Sequence, residues 1–177
     1  MNKDIIVKYG DIKIEDGIFL TPLQTVKQPT VTYDTTNIND KYTLIMYDSK
    51  AVSPSGNHNH WLVINIPGNS LITGDLNKGT TLLSYKGPSP PSGSGEHIYT
   101  FELYKQNGQL HKIVMDENDR IISFNDAKNK IGIQDLTTPE TSVFFNSKYT
   151  NIGGKNRKKK TIKKNRKSKK SKKKQKS

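Results

Sequence analysis

Residues 85–104 read YKGPSPPSGSGEHIYTFELY, a Pro- and Gly-rich loop that runs directly into an alternating apolar segment. Each Pro fixes the backbone angle φ, and each Gly permits conformations that other residues avoid, so this loop cannot form a helix. In the segment that follows, Tyr99, Phe101 and Leu103 fall on one face of an extended chain. His97 therefore lies where a loop enters a strand, a position at which folds often present functional side chains.

Two further apolar segments predict the central strands of a sheet. Residues 42–48 (YTLIMYD) end on Asp48, and residues 60–66 (HWLVINI) begin with His60. Such runs are typical of strands buried on both faces. If the two strands are antiparallel neighbours joined by the polar segment between them, Asp48 and His60 meet at one edge of the sheet. His97 can reach the same edge, where two imidazoles can bind an anion while the acid orients one of them.

The remaining segments predict short strands and one helix. Residues 11–20 (DIKIEDGIFL) read as a hairpin about an Asp-Gly turn, residues 28–33 as an extended strand and residues 143–145 as a last strand. Residues 125–131 begin with an Asn cap and end before Gly132, which favours a short exposed helix. The expected fold class is mainly β: an antiparallel β-sandwich with one or two short peripheral helices.

The basic charge of the chain is concentrated in its last residues. The 177 residues predict one domain, over residues 1–152, followed by a basic tail over residues 153–177. Fifteen of the 29 Lys and Arg residues lie in the tail, so the remaining 14 are fewer than the 16 Asp and Glu. With so few apolar residues the tail is expected to be disordered. The basic residues proposed to contact nucleic acid, an anionic membrane or a targeting receptor are Lys155, Arg157, Lys158, Lys159, Lys160, Lys163, Lys164, Arg166 and Lys167.

Several kinds of site and segment are absent from the sequence. There is no Cys, which excludes disulfides, thiolate nucleophiles and Cys-based metal centres. The N-terminus interrupts its apolar residues with charge too early for a signal peptide, and no apolar run is long enough for a transmembrane segment. We expect an intracellular, soluble, cytoplasmic protein, with nuclear, nucleolar or virion association through the tail. The tail contains no aromatic residue, so any binding of nucleic acid is expected to be non-specific.

The spaced blocks of this sequence resemble the phosphatidylethanolamine-binding protein family, which includes the Raf kinase inhibitor proteins and the plant flowering regulators. The blocks are LTP (20–22), YTLIMYD (42–48), HWLVINIPG (60–68) and the quoted stretch, YKGPSPP followed by GEHIYTFELY. The resemblance implies a β-sandwich with a small anion pocket, which receives a phospholipid head group or a phosphorylated signalling partner. It implies a regulatory, non-catalytic protein without a cofactor. The pocket residues that it implies are Asp48, His60, Pro90, Pro91, His97 and Tyr99.

Two motifs depart from the family pattern. Where the family has Asp-Pro-Asp-Ala-Pro, this chain has Asp48 followed by Ser49, Lys50, Ala51 and Val52, and where the family has Gly-x-His-Arg it has Ile98 after His97. An acid and a base are thus lost together, as expected if they form an ion pair in relatives. The reference pKa of His, about 6.5, predicts that anion binding strengthens as the pH falls toward that value.

Two other functions are compatible with the sequence. The same two histidines and acid could serve a hydrolase or a metal enzyme, although no HExxH or nucleophile-elbow motif is present. Alternatively the tail is the active part, and the protein is a nucleic-acid-associated or virion-packaged protein with the domain as a scaffold. The abundance of Lys, Asn and Ile is typical of an AT-rich genome, such as that of a large DNA virus or a protist.

Overall fold

Two β-sheets packed face to face form the protein. The computed structural model describes residues 4–53, 56–111, 114–121, 126, 129–130 and 138–150. In these ranges the strands are β1 (Ile6–Tyr9), β2 (Ile12–Lys13), β3 (Ile18–Phe19), β4 (Thr30–Thr32), β5 (Lys41–Ser53), β6 (Gly56–Pro67), β7 (Thr80–Leu83), β8 (Glu96–Lys105) and β9 (Thr141–Lys148). The smaller sheet has the order β2-β1-β4 and the larger has the order β3-β9-β8-β5-β6-β7. The pairs are antiparallel except β3 with β9, so the expected mainly β sandwich is confirmed.

The larger sheet is buried on both faces. One apolar cluster joins Val7 and Val31 of the smaller sheet to Met46 and Phe101 of the larger sheet, and so forms the core of the sandwich. A second cluster, which includes Ile45, covers the opposite face. The continuous apolar runs predicted for β5 and β6 follow from this double burial, because neither face of these strands meets water.

The central hairpin is longer than the sequence predicts. The polar residues 49–59 were expected to form a loop, but β5 continues to Ser53 and β6 begins at Gly56. Asp48 pairs with His58, and the pairing continues, with irregular register, as far as the ends of the two strands.

The Asp-Gly segment does not form a hairpin. The strands on either side of it, β2 and β3, lie in different sheets: β2 pairs with β1, and β3 pairs in parallel with β9. Gly17 has a φ of 81°, and the Ile18 N–H donates to the Glu15 carbonyl, so the turn itself is present. The chain crosses from one sheet to the other at this turn, and the predicted hairpin is therefore wrong.

The described helices are short. They are α1 (Gly68–Thr73) and two single-turn 3-10 helices, Leu76–Lys78 and Glu117–Arg120. The sequence analysis did not predict α1. Of the predicted helix over 125–131 the structure describes Asp126, Asn129 and Lys130, which are helical, and its other residues and the predicted tail over 153–177 lie outside the described residues. Within the described ranges, no helix is long and apolar enough to cross a membrane.

A buried polar network fixes an irregularity in β6. The register between β5 and β6 shifts near Asn65, whose φ of 57° is left-handed, a conformation that Asn tolerates better than most residues. The Oε1 atom of Gln106 accepts from the Asn65 N–H at 2.7 Å and from the Thr43 hydroxyl at 3.0 Å. Its Nε2 atom donates to Asn65 Oδ1 at 2.9 Å. Gln106, which directly follows β8, thus ties together the three central strands of the larger sheet.

We predict that Gln106→Leu destabilises the protein by about 3 kcal/mol, because it leaves buried donors on Asn65 and Thr43 without their acceptor. Urea unfolding at neutral pH measures the change. The control is Gln109→Leu, an exposed site in the same turn, which should change stability by less than about 0.5 kcal/mol. Equal effects of the two substitutions would contradict the role assigned to the network.

Candidate functional site

A pocket of about 550 Å³ opens where β8 begins, beside the middle of β5 and β6. All six residues singled out from the sequence line it: Asp48, His60, Pro90, Pro91, His97 and Tyr99. The other lining residues are Ala51, His58, Lys86, Gly87, Ser89 and Ile121. Sequence reasoning therefore located the residues that meet here, and their role in binding stays a prediction.

Asp48 is the buried anion of the site, with a relative exposure of 3%. It pairs with Tyr99 across β5 and β8, and this register places its carboxylate beside the ring of His97. Oδ1 accepts from the backbone N–H groups of Lys50 and Ala51, each at 3.0 Å. Oδ2 lies 2.6 Å from Nδ1 of His97. Both oxygens are thus satisfied, which a buried carboxylate requires.

His97 is oriented from both sides of its ring. Asp48 Oδ2 accepts from Nδ1, because a carboxylate has no hydrogen to give. On the other side, Nε2 lies 2.8 Å from the hydroxyl of Ser94. That hydroxyl also donates to the carbonyl oxygen of Pro91 at 2.8 Å. Strand alternation explains the burial of His97, because His97, Tyr99 and Phe101 all face the core of the sandwich.

A bulge in β6 turns His60 toward the same space. Met46 pairs with Trp61 and Tyr47 pairs with Asn59, so His60 is the extra residue that no residue of β5 opposes. Bulges of this kind redirect a side chain that strict alternation would send to the other face. The ring of His60 consequently meets the ring of Tyr99 edge-on, with centroids 5.1 Å apart.

The charge state of His60 differs from the sequence-based expectation. Nδ1 donates to the carbonyl oxygen of Lys86 at 2.7 Å, and His60 as a whole is only 5% exposed. Burial lowers the pKa of His60 to about 4, and the hydrogen bond to the carbonyl opposes this shift only in part. An increase in anion binding near pH 6.5 therefore cannot come from protonation of His60 in the free protein.

The hydroxyl of Tyr99 stays protonated at the base of the pocket. Burial, followed by the negative charge of Asp48, raises the pKa of Tyr99 above its ordinary value. The ring stacks on Phe145, with centroids 5.4 Å apart, which joins the pocket to the core of the sandwich. The position of this hydroxyl is therefore set by apolar packing as well as by its polar neighbours.

Sequence reasoning missed Arg120, which lies behind the pocket and is 3% exposed. Its guanidinium donates to the carbonyl oxygens of Asn59 and His60 at 3.3 Å and of Ser84 at 2.8 Å. Arg120 thereby joins the bulge of β6 to the chain that leads into the Pro/Gly loop. The available signal was Asp116, whose capping box starts the 3-10 helix that carries Arg120.

Lys50 and Ile98, two of the residues that depart from the family motifs, add no buried charge. Lys50 is exposed, and it contributes only its backbone N–H to Asp48. Ser49 donates from its hydroxyl to the carbonyl oxygen of Ile98 at 3.2 Å, so the two altered positions still connect β5 to β8. Among the described residues, no group of three or more His, Asp or Glu is arranged to hold a metal ion. The metal-enzyme alternative thus gains no support from the geometry.

Comparison with known protein families and sequences gives one consistent result. The family model described as "Phosphatidylethanolamine-binding protein" matches residues 13–164. The rice (Oryza sativa subsp. japonica) protein called "MOTHER of FT and TFL1 homolog 2" is 35% identical over 144 residues, 78% of each chain. A 26 kDa secreted antigen of Toxocara canis is 36% identical over 120 residues, which are 63% of this chain and 44% of the antigen. This chain thus spans less than half of the antigen's length.

The solved structures agree with the sequence comparisons. The phosphatidylethanolamine-binding protein from Plasmodium vivax superposes with a TM-score of 0.67. The similarity covers 84% of this chain and 86% of that one, at 22% sequence identity. At this level of identity the superposition establishes the fold alone, and the sequence comparisons carry the assignment to a family.

We predict that His60 makes the stability of the protein depend on pH. The pKa of His60 is about 4 in the folded state and about 6.5 in the unfolded state, so the unfolded chain binds more protons between these values. The free energy of unfolding should therefore fall by about 3 kcal/mol more in the wild type than in His60→Gln as the pH drops from above 6.5 to 4. Urea unfolding over this range measures it.

The matched control for this experiment is His111→Gln at an exposed site, which should keep the pH dependence of the wild type. Carboxylates that titrate in the same range are common to all three proteins and cancel in the comparison. If His60→Gln and the wild type lose stability in parallel, the lowered pKa of His60 is wrong.

We also predict that Arg120→Gln raises the pKa of His60, because the positive charge of Arg120 is one of the causes that lower it. The new value should remain below about 6.5, since burial is the larger cause. A pH titration of the His60 ring signals by NMR measures the change. Lys78→Gln, an exposed basic residue in the other 3-10 helix, should leave the pKa unchanged.

Proposed function

Because the chain belongs to the phosphatidylethanolamine-binding protein family, we propose that its pocket binds a phosphoryl group and that this binding is regulatory. The family consists of binding and regulatory proteins, and the match supports that non-catalytic role for this chain. The observation that carries the proposal is the convergence of His97, His60 and Tyr99 around the buried carboxylate of Asp48 in one pocket.

The polar groups of the pocket suit a phosphoryl group. With its Nδ1 hydrogen held by Asp48, a protonated His97 points a second N–H, on Nε2, away from that carboxylate. The hydrogen bond to Asp48 fixes the direction in which that second N–H points. Lys86 lines the opening and is exposed, so its ammonium adds positive charge without a desolvation cost. Pro90 and Pro91 form a rigid part of the pocket wall, so less conformational entropy is lost when a ligand binds.

The physiological source of the phosphoryl group is either a phospholipid head group or a phosphorylated partner protein. The family is known for phospholipid or phosphoryl ligands and for signalling partners, and a role like that of its kinase inhibitors follows if the bound group belongs to a signalling protein. The similarity to a secreted antigen adds an extracellular location to the intracellular one expected from the sequence. Contact of the basic tail with nucleic acid or with a membrane stays a separate prediction.

We predict that inorganic phosphate and phosphorylethanolamine shift the NMR signals of the His60 and His97 rings saturably, with millimolar dissociation constants. The full chain can be used, because ring signals report on the pocket even when the basic tail also binds anions. Asp48→Asn should weaken binding by about tenfold, because it weakens the charge-assisted hydrogen bond that orients the ring of His97.

The control is Asp75→Asn, which changes an acid outside the pocket and should leave the dissociation constants unchanged. The proposal is wrong if neither ring responds to either compound at concentrations well above millimolar.

A further inference from the structure

The ring of His60 is held in one neutral tautomer. Nδ1 lies 2.7 Å from the carbonyl oxygen of Lys86, and a carbonyl can only accept, so Nδ1 carries the hydrogen. In the neutral ring the other nitrogen, Nε2, then has a lone pair and no hydrogen. Nε2 hydrogen-bonds to none of the described residues, although the ring lines the pocket. At this position the pocket presents an acceptor to its ligand.

The carbonyl that selects this tautomer is fixed in place. The Lys86 N–H donates to the carbonyl oxygen of His60 at 2.8 Å, so the two residues bind each other twice. The preceding Tyr85 donates from its hydroxyl to the carbonyl oxygen of Thr25 at 2.6 Å. The following Gly87 packs so closely that an added Cβ would lie 2.7 Å from the same oxygen. The loop cannot turn this carbonyl away from His60 without breaking these contacts.

The groups around His60 also disfavour a second proton on its ring. Burial is the largest cause that lowers its pKa, and His58 on the same strand and Arg120 behind it act in the same direction. Asp48 on β5 opposes them, but the resulting pKa is still about 4. Tyr99 on β8 packs edge-on against the ring, and its own raised pKa keeps it uncharged. At neutral pH the acceptor on Nε2 is therefore retained.

A phosphoryl oxygen bound next to this lone pair needs a hydrogen of its own. Inorganic phosphate always carries a P–OH group at neutral pH. A fraction of the molecules of a phosphate monoester also carries one, since the second pKa of a monoester is about 6. A phosphodiester has no P–OH group, and neither does sulfate. Their bare oxygens would face the Nε2 lone pair without a hydrogen bond, a cost that discriminates strongly in a buried site.

We propose that the pocket selects phosphoryl groups that carry a hydrogen, namely inorganic phosphate and phosphate monoesters, over phosphodiesters such as the head group of an intact phospholipid. This inference rests on the proposed function and names the class of ligand. His60 Nε2 accepts from the P–OH group, while Lys86 and a doubly protonated His97 contact the charged oxygens. A phosphorylated protein segment or a small phosphate monoester fits this chemistry.

The test compares anions of matched shape on the full chain at about pH 7, with the ¹⁵N and ¹H signals of the His60 ring as the readout. Inorganic phosphate should bind at least about tenfold more tightly than sulfate. At about pH 6, phosphorylethanolamine should bind at least about tenfold more tightly than glycerophosphorylethanolamine, the diester with the same amine. The ¹⁵N shift of Nε2 should remain that of an unprotonated nitrogen in the phosphate complex.

A substitution assigns the selectivity to the ring. In His60→Gln the side-chain amide can donate as well as accept, so sulfate should bind almost as well as phosphate, read from the His97 ring. His111→Gln, at an exposed site, should keep the selectivity of the wild type. Because the wild-type comparison of phosphate with sulfate needs no variant, the proposal remains testable even if His60→Gln fails to fold.

The outcomes separate this inference from the proposed function. If all four anions shift the His60 and His97 signals with similar affinity, the pocket binds phosphoryl groups but does not select protonated ones, and the inference is wrong. Protonation of Nε2 on phosphate binding would overturn it in the same way. If none of the four anions binds, the proposed function fails together with it.

Discussion

The buried carboxylate of Asp48 is the group around which the pocket is built. Removing a carboxylate from water costs several kcal/mol unless each of its oxygens finds donors. Two backbone N–H groups that follow it in β5 satisfy one oxygen, and the ring of His97 satisfies the other. The first pair requires the chain to curl back just after Asp48, and the second requires β8 to pair with β5 in one register. One buried charge therefore fixes both the local backbone and a contact between residues 49 positions apart.

Much of this arrangement could be predicted from where polar residues interrupt apolar strands. Asp48 ends an apolar run, His60 begins one, and His97 follows a loop that cannot be helical, so the expected strand pairing predicts that the three lie near one another. The sequence did not reveal the means by which His60 reaches the pocket. Strict alternation from Trp61 would send His60 to the opposite face, and the bulge that prevents this depends on the register of two long strands. A register is a property of a strand pair, and no local pattern in β6 encodes it.

The other differences between sequence and structure have the same origin. The turn at Gly17 was identified correctly, but its two flanking strands pair with β1 and β9, which lie elsewhere in the chain. Arg120 does not belong to a periodic apolar segment, so no apolar pattern singled it out. Its importance arises from three carbonyl oxygens that only the folded chain brings together. The carbonyl of Lys86, which sets the tautomer of His60, has no side-chain signature at all. The residue types indicate the local chemistry of each segment, but they do not show which residues distant in the sequence become its partners.

The chain of hydrogen bonds from Ser94 through His97 to Asp48 has the residue order of a serine hydrolase triad, and its details favour a different role. The hydroxyl of Ser94 has one hydrogen and two neighbours that can accept it, Nε2 of His97 and the carbonyl oxygen of Pro91, each 2.8 Å away. A nucleophile must give its hydrogen to the imidazole as it attacks, whereas here a fixed carbonyl competes for that hydrogen throughout.

Ser94 also lies outside the residues that line the pocket, so a ligand bound there would meet His97 rather than the serine. When Ser94 donates to Pro91, Nε2 of a doubly protonated His97 can donate in turn, either to Ser94 or to an anion that replaces it. Ser94 therefore orients the imidazole and can give it up to a ligand without losing its own hydrogen bond to Pro91. In this arrangement His97 can exchange Ser94 for an anion at a low cost in free energy, because Ser94 keeps a hydrogen-bond acceptor. A binding site requires such an exchange, whereas a covalent mechanism does not.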